Sequence, residues 1–417
     1  MAITTTFQAW YKKYYPETRV FGRAIHDHPA LGLIKRRTDF TGTVAGISVK
    51  YANASSRGAT FSTAQTNANL PRAAEFALTR AKDYAVLTLQ PEEIYASQSK
   101  DGAYATAMKT AMDSIADSMG ESWAHQFMNP LGGYGTLGRG STFDTATGII
   151  TLSDPNDATN FDVGMVLGAV TDPTSGAATI RAGTGTVTKV SESAGTVTVT
   201  PVNPSGWANG ANTDYFYING DLPTAGTSSK MQGFFQWNPV TLPSPDSFFG
   251  VDRSVARERL AGHLFNASGY RVDEALKQGV LLASRAKQKL TDIVLNHEQY
   301  QRLLNTLEHK ERANFDVTLR EGRFMTKIGY EGVKLYCASG AVNVWADAAM
   351  GTNYAAGFDR DAWTFFTLGT PGRMIELDGH SMQWSASADT FEFRFITLGN
   401  FYCSNPGSNV TWYNLGA

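Results

Sequence analysis

Three glycines carry the one cofactor-like motif in the sequence. Gly133, Gly135 and Gly138 have the GxGxxG spacing of loops that cradle a dinucleotide pyrophosphate. Such a loop must follow a strand and open a helix, whereas here a helical pattern precedes the motif and a β pattern follows it. The context therefore favours a flexible hinge, and we predict no cofactor.

Other clusters of potential ligands or nucleophiles are also incomplete. His26, Asp27 and His28 could begin a metal site, but no further ligand follows at helical or hairpin spacing, so a solvated turn is the better interpretation. The acidic turn from Asp154 to Asp157 offers oxygen ligands for a cation, although an Asx turn explains it equally well. No nucleophile elbow, phosphate-binding loop, HExxH or CxxC pattern occurs. We accordingly predict no metal site, no catalytic residue and no enzyme activity.

Length and composition indicate a folded protein of two or three lobes. The chain has 417 residues, of which 42% are hydrophobic and 18% charged, so it can bury a sizeable core. Its net charge of −2 lacks the overall basic footprint of a nucleic-acid-binding protein. Charge is nevertheless uneven, since residues 1–50 hold eight Lys/Arg and three Asp/Glu, whereas 131–228 hold three and eight. The two segments are expected to face different surroundings.

Targeting and redox signals are weak. The first sixteen residues lack the apolar segment of a signal peptide, and no apolar run approaches the ~20 residues of a membrane span. We therefore expect synthesis in a cytoplasm and no membrane contact. Cys337 and Cys403 lie in apolar, strand-like sequence and are predicted to be buried, reduced thiols.

Two segments at the start of the chain need a surface to cover them. Residues 1–37 form a predicted arm in which aromatic and basic side chains alternate loosely, and such an arm must lie on a surface. Residues 38–96 are predicted to form a long two-stranded β-ribbon with a polar tip. An isolated ribbon is marginally stable in water and exposes unpaired edges. Its cover is therefore expected on a neighbouring molecule.

The clearest helix lies in residues 97–142 and is predicted over 101–129. Its apolar residues recur at steps of three and four, which makes one buried stripe. The stripe comprises Tyr104, Met108, Met112, Ile115, Met119, Trp123 and Phe127. After the glycine-rich hinge at 131–142, short β patterns separated by turn residues predict an inserted all-β barrel or sandwich over 143–228.

Helical and extended patterns mix in the rest of the chain. Residues 229–325 are predicted as an α/β lobe, and 326–417 return to strands. One of these strands places Phe391, Phe393 and Phe395 on one face. Three helical segments are predicted: 252–265, 272–290 and 297–309. The fold class is α+β.

The order of these parts resembles the major capsid proteins of tailed bacteriophages, which share the Hong Kong-97-type fold with encapsulin shells. The ribbon at 38–96 resembles that family's E-loop, and the long helix resembles the spine helix of its peripheral domain. Residues 229–325 are similar to its axial domain, and 326–417 to the strands returning to the axial and peripheral domains. The sequences TGIITLSDPNDATNFDVGMVL and GTGTVTKVSESAGTVTVT resemble the insertion domain of a subset of these proteins.

The resemblance implies a structural protein of the virion. Such a protein assembles with itself, as pentamers and hexamers, into an icosahedral shell around double-stranded DNA. It implies portal and scaffolding proteins as partners, with a decoration protein as a further candidate. Some relatives crosslink a ribbon Lys to an Asn, but Lys50 lies away from the tip and no particular Asn pairs with it, so no crosslink is predicted.

Candidate contact residues come from the arm and the ribbon. Those expected between subunits are Trp10, Tyr11, Tyr14, Tyr15, Lys50, Arg57, Phe61, Arg72 and Arg80. Lys35, Arg36 and Arg37 are candidates for non-specific contact with DNA phosphates. A short basic run more often lies in solvent or in a salt-bridging patch between subunits.

Two other functions fit parts of the sequence. An encapsulin-like cellular compartment shell would share the fold, although such shells tend to lack an inserted β-domain. A carbohydrate-binding protein or enzyme could use Trp207, Tyr215 and Tyr217 of the β-insert as a sugar platform, although these aromatics are more typical of a core.

Overall fold

The computed structural model describes residues 28–89, 101–310, 333–337, 340–376, 382–384 and 390–416. The predicted arm lies outside them up to residue 27. The chain divides into two compact units. Unit 1 comprises Met1–Ala45, Ala77–Gln236 and Thr364–Tyr402, and unit 2 comprises Gly46–Phe76, Trp237–Trp363 and Cys403–Ala417. No helix in the described part of the chain is long and apolar enough to cross a membrane.

Helices and strands alternate along the chain, which confirms the predicted α+β class. The described helices are α1 (Pro29–Leu33), α2 (Phe61–Thr66), α3 (Asp101–Met128), α4 (Phe234–Trp237), α5 (Arg257–Leu260), α6 (Val272–Arg285) and α7 (His297–Lys310). Short 3-10 turns lie at Gly132–Tyr134, Pro155–Asn160, Arg253–Ala256 and Pro406–Ser408.

The strands form four sheets among the described residues. In the first half they are β1 (Lys35–Arg37), β2 (Val44–Ala52), β3 (Arg72–Thr79), β4 (Ala81–Leu89), β5 (Thr136–Asp144), β6 (Ile149–Leu152), β7 (Val166–Val170), β8 (Gly185–Ser191), β9 (Thr196–Thr200), β10 (Gly210–Ala211) and β11 (Tyr215–Ile218). In the second half they are β12 (His263–Asn266), β13 (Asp292–Leu295), β14 (Val333–Cys337), β15 (Gly340–Ala346), β16 (Tyr354–Phe358), β17 (Trp363–Thr367), β18 (Arg373–Met374), β19 (Met382–Trp384), β20 (Phe391–Cys403) and β21 (Val410–Tyr413).

Unit 1 packs the long helix α3 against aromatic side chains of a six-stranded sheet. The sheet has the order β1-β17-β20-β18, with β19 and β4 also paired to β20. The Trp123 ring lies 6.0 Å from Phe365, and the Phe127 ring lies 4.8 Å from Phe401. The predicted apolar stripe is buried at Met112, Met119, Trp123 and Phe127 and half-buried at Ile115; the side chains of Tyr104 and Met108 lie outside the described set.

The end of α3 follows from its last residues. The Asn129 side-chain carbonyl accepts a hydrogen bond from the Leu131 amide at 3.0 Å, and Pro130 cannot continue the helix. The chain then turns through Gly132 and Gly133, where a Cβ would lie 2.1 Å from the His125 carbonyl oxygen and 2.7 Å from Gln236 respectively. The predicted flexible hinge is therefore wrong, because these glycines permit close packing, and β5 begins at Thr136.

The β-rich region that follows α3 closes on itself. Strands β5, β11, β7, β8, β9 and β6 pair in that order, β6 pairs back to β5, and β10 adds to β5. The closed interior holds Phe143, Ile150, Leu167, Val197 and Phe216. Between β7 and β8, Ile180 pairs with Val170 through a single bridge. We call residues 136–218 the barrel.

The two-stranded ribbon is shorter in the structure than the predicted range of 38–96. Strands β2 and β3 pair only with each other. The single predicted return strand is divided, since β4 leaves β3 and joins β20 from Ala81 to Leu89. Because β4 belongs to a sheet of unit 1, only residues 44–79 form the two-stranded element, here called the paired ribbon.

Unit 2 contains a mixed six-stranded sheet of order β12-β21-β16-β13-β15-β14. Helices α6 and α7 lie at the predicted places. The helix predicted over 252–265 is wrong in its second half. Gly262 adopts φ +132°, which ends the helix, and β12 then pairs in parallel with β21. In the same unit Cys403 is buried, as predicted, but Cys337 on β14 is only half-buried; both thiols are free.

Candidate assembly surface

The base of the paired ribbon is held by aromatic packing within unit 2. Phe76 on β3 is fully buried, and its ring lies 5.0 Å from Trp237 and 6.4 Å from Phe248. On the other strand, the Tyr51 carbonyl accepts a hydrogen bond from the Arg259 guanidinium at 2.9 Å. These contacts therefore fix the base of the paired ribbon and with it the position from which the outer part extends.

The outer part of the paired ribbon has no core. Every residue from 53 to 71, here called the ribbon tip, is exposed except Ala64, which is half-buried. Phe61 and Leu70 are each 83% exposed. No other large hydrophobic side chain in the described ranges is as exposed as these two. Leu70 was not among the predicted contact residues, because a lone Leu in polar sequence gives no pattern.

Polar bonds give the ribbon tip its shape. The Thr60 hydroxyl accepts from the Thr63 amide at 3.2 Å and caps α2. The Asn69 side chain accepts from the Ser55 amide at 2.5 Å, and the Asn67 side chain donates to the Arg57 carbonyl at 3.2 Å. These bonds join the two sides of the tip, so the exposed apolar residues are presented by a structured element.

The predicted contact residues fall into three groups. Lys50, Arg57, Phe61 and Arg72 are exposed on the paired ribbon. Arg80 is half-buried, with its guanidinium 5.6 Å from the centre of the Phe40 ring. The four aromatic residues of the arm lie outside the described residues: Trp10, Tyr11, Tyr14 and Tyr15.

The basic run Lys35, Arg36 and Arg37 forms β1, an exposed strand parallel to β17. Arg37 is already engaged within the chain, because it pairs with Asp39 at 2.6 Å and lies 4.9 Å from the Phe366 ring centre. This hydrogen-bonded pairing raises the pKa of Arg37 and lowers the pKa of Asp39. One of the three predicted phosphate-binding charges is thus partly neutralised locally.

The aromatic residues of the insert do not form a sugar platform. Trp207 and Tyr217 are buried. Trp207 packs between Phe143 and Phe216, and its indole N–H donates to the Gly183 carbonyl at 3.0 Å. Tyr215 is half-buried beneath the Arg139 guanidinium. These rings belong to the barrel interior or its margin.

The acidic turn is held by its own backbone. The Asp154 carboxylate accepts from the Asn156 amide at 3.0 Å, as in an Asx turn. Burial and the charge of Asp154 raise the pKa of Asp157 to about 7. In the described ranges, no three His, Cys, Asp or Glu side chains gather as metal ligands would. His28 is buried at the start of α1, while His26 and Asp27 lie outside the described residues.

Comparison with known proteins gives structural similarities only. No protein-family model and no curated protein sequence matches the chain. The capsid asymmetric unit of cyanophage A-1(L) is similar at 10% identity, with 94% of this chain and 93% of that chain covered and a TM-score of 0.48. The capsid of a native GTA particle is similar at 11% identity, with 93% and 90% covered and a TM-score of 0.45. A structure from Mycobacterium phage Ogopogo is similar at 10% identity, with 92% and 90% covered and a TM-score of 0.43.

Proposed function

We propose that this chain is the major capsid protein of a tailed bacteriophage, a structural protein that assembles with itself into an icosahedral shell. The paired ribbon is the observation that carries the proposal. It is fixed at its base by Phe76 and extends a structured tip with two apolar side chains 83% exposed. A monomer gains nothing from such an element, whereas a neighbouring copy could cover it.

The assembly follows from repeated use of that contact. Each subunit lays its ribbon tip on a neighbour, and the same surface is buried at each copy around pentamers and hexamers. Many such contacts make the shell stable even when one contact is weak. The net charge of −2 limits repulsion between copies.

The remaining partners follow from the same proposal. Portal and scaffolding proteins serve assembly, a decoration protein is a further candidate, and packaged DNA meets Lys35 and Arg36 through non-specific phosphate contact. The protein acts in the virion shell and catalyses no reaction. The encapsulin-like alternative requires the same self-assembly, and microscopy of purified particles together with their nucleic-acid content distinguishes the two.

Deletion of residues 52–70, which takes away all of the ribbon tip except Pro71, tests the proposed function directly. Deleting residues 52–70 should leave a soluble subunit that forms neither shells nor capsomer rings in negative-stain microscopy. The thermal midpoint of the purified subunit is the folding control, since the deleted residues bury almost nothing. Normal shells from the deletion variant would refute the assigned role of the ribbon.

A further inference from the structure

A buried cluster of charges lies where the chain leaves the barrel. The Lys230 ammonium is placed 3.0 Å from the Asp83 carboxylate on β4 and 3.1 Å from the Asp221 carboxylate. The three side chains are 13%, 9% and 24% exposed respectively. One cation thus joins two carboxylates from distant parts of unit 1, largely away from solvent.

Further hydrogen bonds tie this cluster to α3. The Asp83 carboxylate accepts from the Ser122 hydroxyl at 3.0 Å and from the Gln126 amide at 3.1 Å. The Gln126 carbonyl in turn accepts from the Met231 backbone at 2.9 Å. Residues 219–236, here called the exit segment, are therefore attached to both β4 and α3 by side-chain contacts around Lys230.

A histidine beside the cluster is buried without a hydrogen bond on one ring nitrogen. His125 lies on α3 next to Gln126, and its Nε2 has no partner within the described part of the chain. Burial lowers the pKa of His125 to about 4, and the positive charges of His28 and Lys230 act in the same direction. Protonation of His125 therefore adds a positive charge that repels Lys230.

The carboxylate of Asp221 responds to acid in the complementary way. Burial raises the pKa of Asp221 despite the opposing effect of Lys230. Burial alone would lower the pKa of Lys230, but Asp83 and Asp221 outweigh it and raise that pKa. As the pH falls, Asp221 loses its negative charge and His125 gains a positive one, while Lys230 keeps its charge throughout.

We propose that Lys230, Asp83, Asp221 and His125 form an acid-released clasp that fixes the barrel's exit segment to α3 and β4. At neutral pH the two carboxylates hold Lys230 in place. In acid one of these attractions is lost and a repulsion from His125 is added, so the exit segment detaches before the rest of unit 1 unfolds. The clasp does not depend on the function proposed above.

Amide hydrogen exchange of the full chain tests the clasp. Exchange of the exit segment, corrected for the intrinsic pH dependence of exchange, should be about tenfold faster at about pH 4 than at about pH 7.5. Strands β8 and β9 of the barrel and helix α6 of unit 2 serve as internal references and should change little. Equal acceleration of exit segment and references would overturn the proposal, because acid would then act on the whole fold.

Two variants separate the contributions of the two titrating groups. Asp221→Asn removes one attraction permanently, so the exit segment should exchange faster already at neutral pH and respond less to acid. His125→Gln keeps a neutral polar group in acid, so its exit segment should accelerate less than that of the natural chain. Unchanged exchange in Asp221→Asn, or an undiminished acid response in both variants, would show that the cluster is not a clasp.

Discussion

The barrel and the paired ribbon are both built from β-strands, yet they meet the need for burial in opposite ways. The barrel closes its sheet, so Phe143 and Phe216 are almost fully buried inside it. The paired ribbon has two strands and no second layer, so its only deep anchors are at the base, where Phe76 meets aromatic residues of unit 2. A closed sheet buries its own apolar side chains inside it, whereas a two-stranded ribbon has to bury its apolar side chains against another surface.

The ribbon tip, unlike the barrel, is shaped by exposed polar bonds. In the ribbon tip, the hydrogen bond that Asn67 donates and the one that Asn69 accepts fix the shape without burying apolar area. Such exposed bonds each contribute little to stability. The tip can therefore be structured and yet contribute almost nothing to the free energy of unfolding of the lone subunit.

The largest difference between the regions should appear when one buried phenylalanine is truncated. Phe216→Ala removes a fully buried ring that packs against Trp207 in the barrel interior. We expect a loss of about 3–5 kcal/mol in the free energy of unfolding, because the cavity cannot be filled by neighbouring strands. Chemical denaturation of the purified subunit measures it, and a loss below about 1 kcal/mol would contradict a packed closed interior.

An intermediate effect is expected from a buried carboxyl in the barrel. Folding raises the pKa of Asp157 from 3.8 to about 7. As the pH rises between these two values, the unfolded chain loses this proton before the folded chain does. The free energy of unfolding therefore falls over that pH range. Asp157→Asn should therefore stabilise the protein at about pH 8 and have little effect at about pH 4. The gain in the free energy of unfolding should be on the order of 2 kcal/mol. This is about half of what the pKa shift gives at about 1.4 kcal/mol per pKa unit, because Asp157 keeps some solvent contact.

The measurement for Asp157→Asn is the denaturation midpoint across that pH range. The Asn side chain can still accept the hydrogen bond that the Arg139 amide donates to Asp157. A matched control is Asp144→Asn on the exposed end of β5, where hydrogen bonds from Thr147 and Ala146 lower the pKa instead. If both variants shift stability with the same sign at about pH 8, burial is not the cause.

The smallest effect on stability should come from the same Phe-to-Ala change in the ribbon tip. Phe61 is 83% exposed, so Phe61→Ala should alter the free energy of unfolding by less than about 0.5 kcal/mol. Shell formation should nevertheless fall, and adding Leu70→Ala should reduce it further. The yield of particles in a sedimentation assay is the readout, and a large loss of subunit stability would show that the tip packs on its own chain.

Much of the secondary structure could be predicted from periodicity. The spacing from Met112 to Phe127 identified α3, and the alternation from Phe391 to Phe395 identified β20, because these patterns reflect which face is buried. Periodicity failed at Gly262. The helical pattern continues past this residue, but the residues after it pair as β12. The backbone conformation of one glycine and a partner strand more than a hundred residues away decided that point.

Prediction of the candidate surface was partial for a similar reason. Arg57 and Phe61 were expected in an exposed tip and are found there. Leu70 was missed because exposure of an isolated apolar residue leaves no pattern. The Lys230 cluster was missed as well, since Asp83, Gln126 and Lys230 come from segments that only tertiary packing brings together.

By itself the amino-acid sequence determined the α+β class, the long apolar-striped helix and the β-rich character of residues 143–228. These follow from local period and turn residues, which act over a few neighbours along the chain. Only the tertiary structure decided that the insert closes at β5 and β6, that β4 leaves the ribbon for β20, and that one lysine joins two carboxylates. Those outcomes depend on which distant segments offer a pairing edge or a charge, and no local pattern encodes that choice.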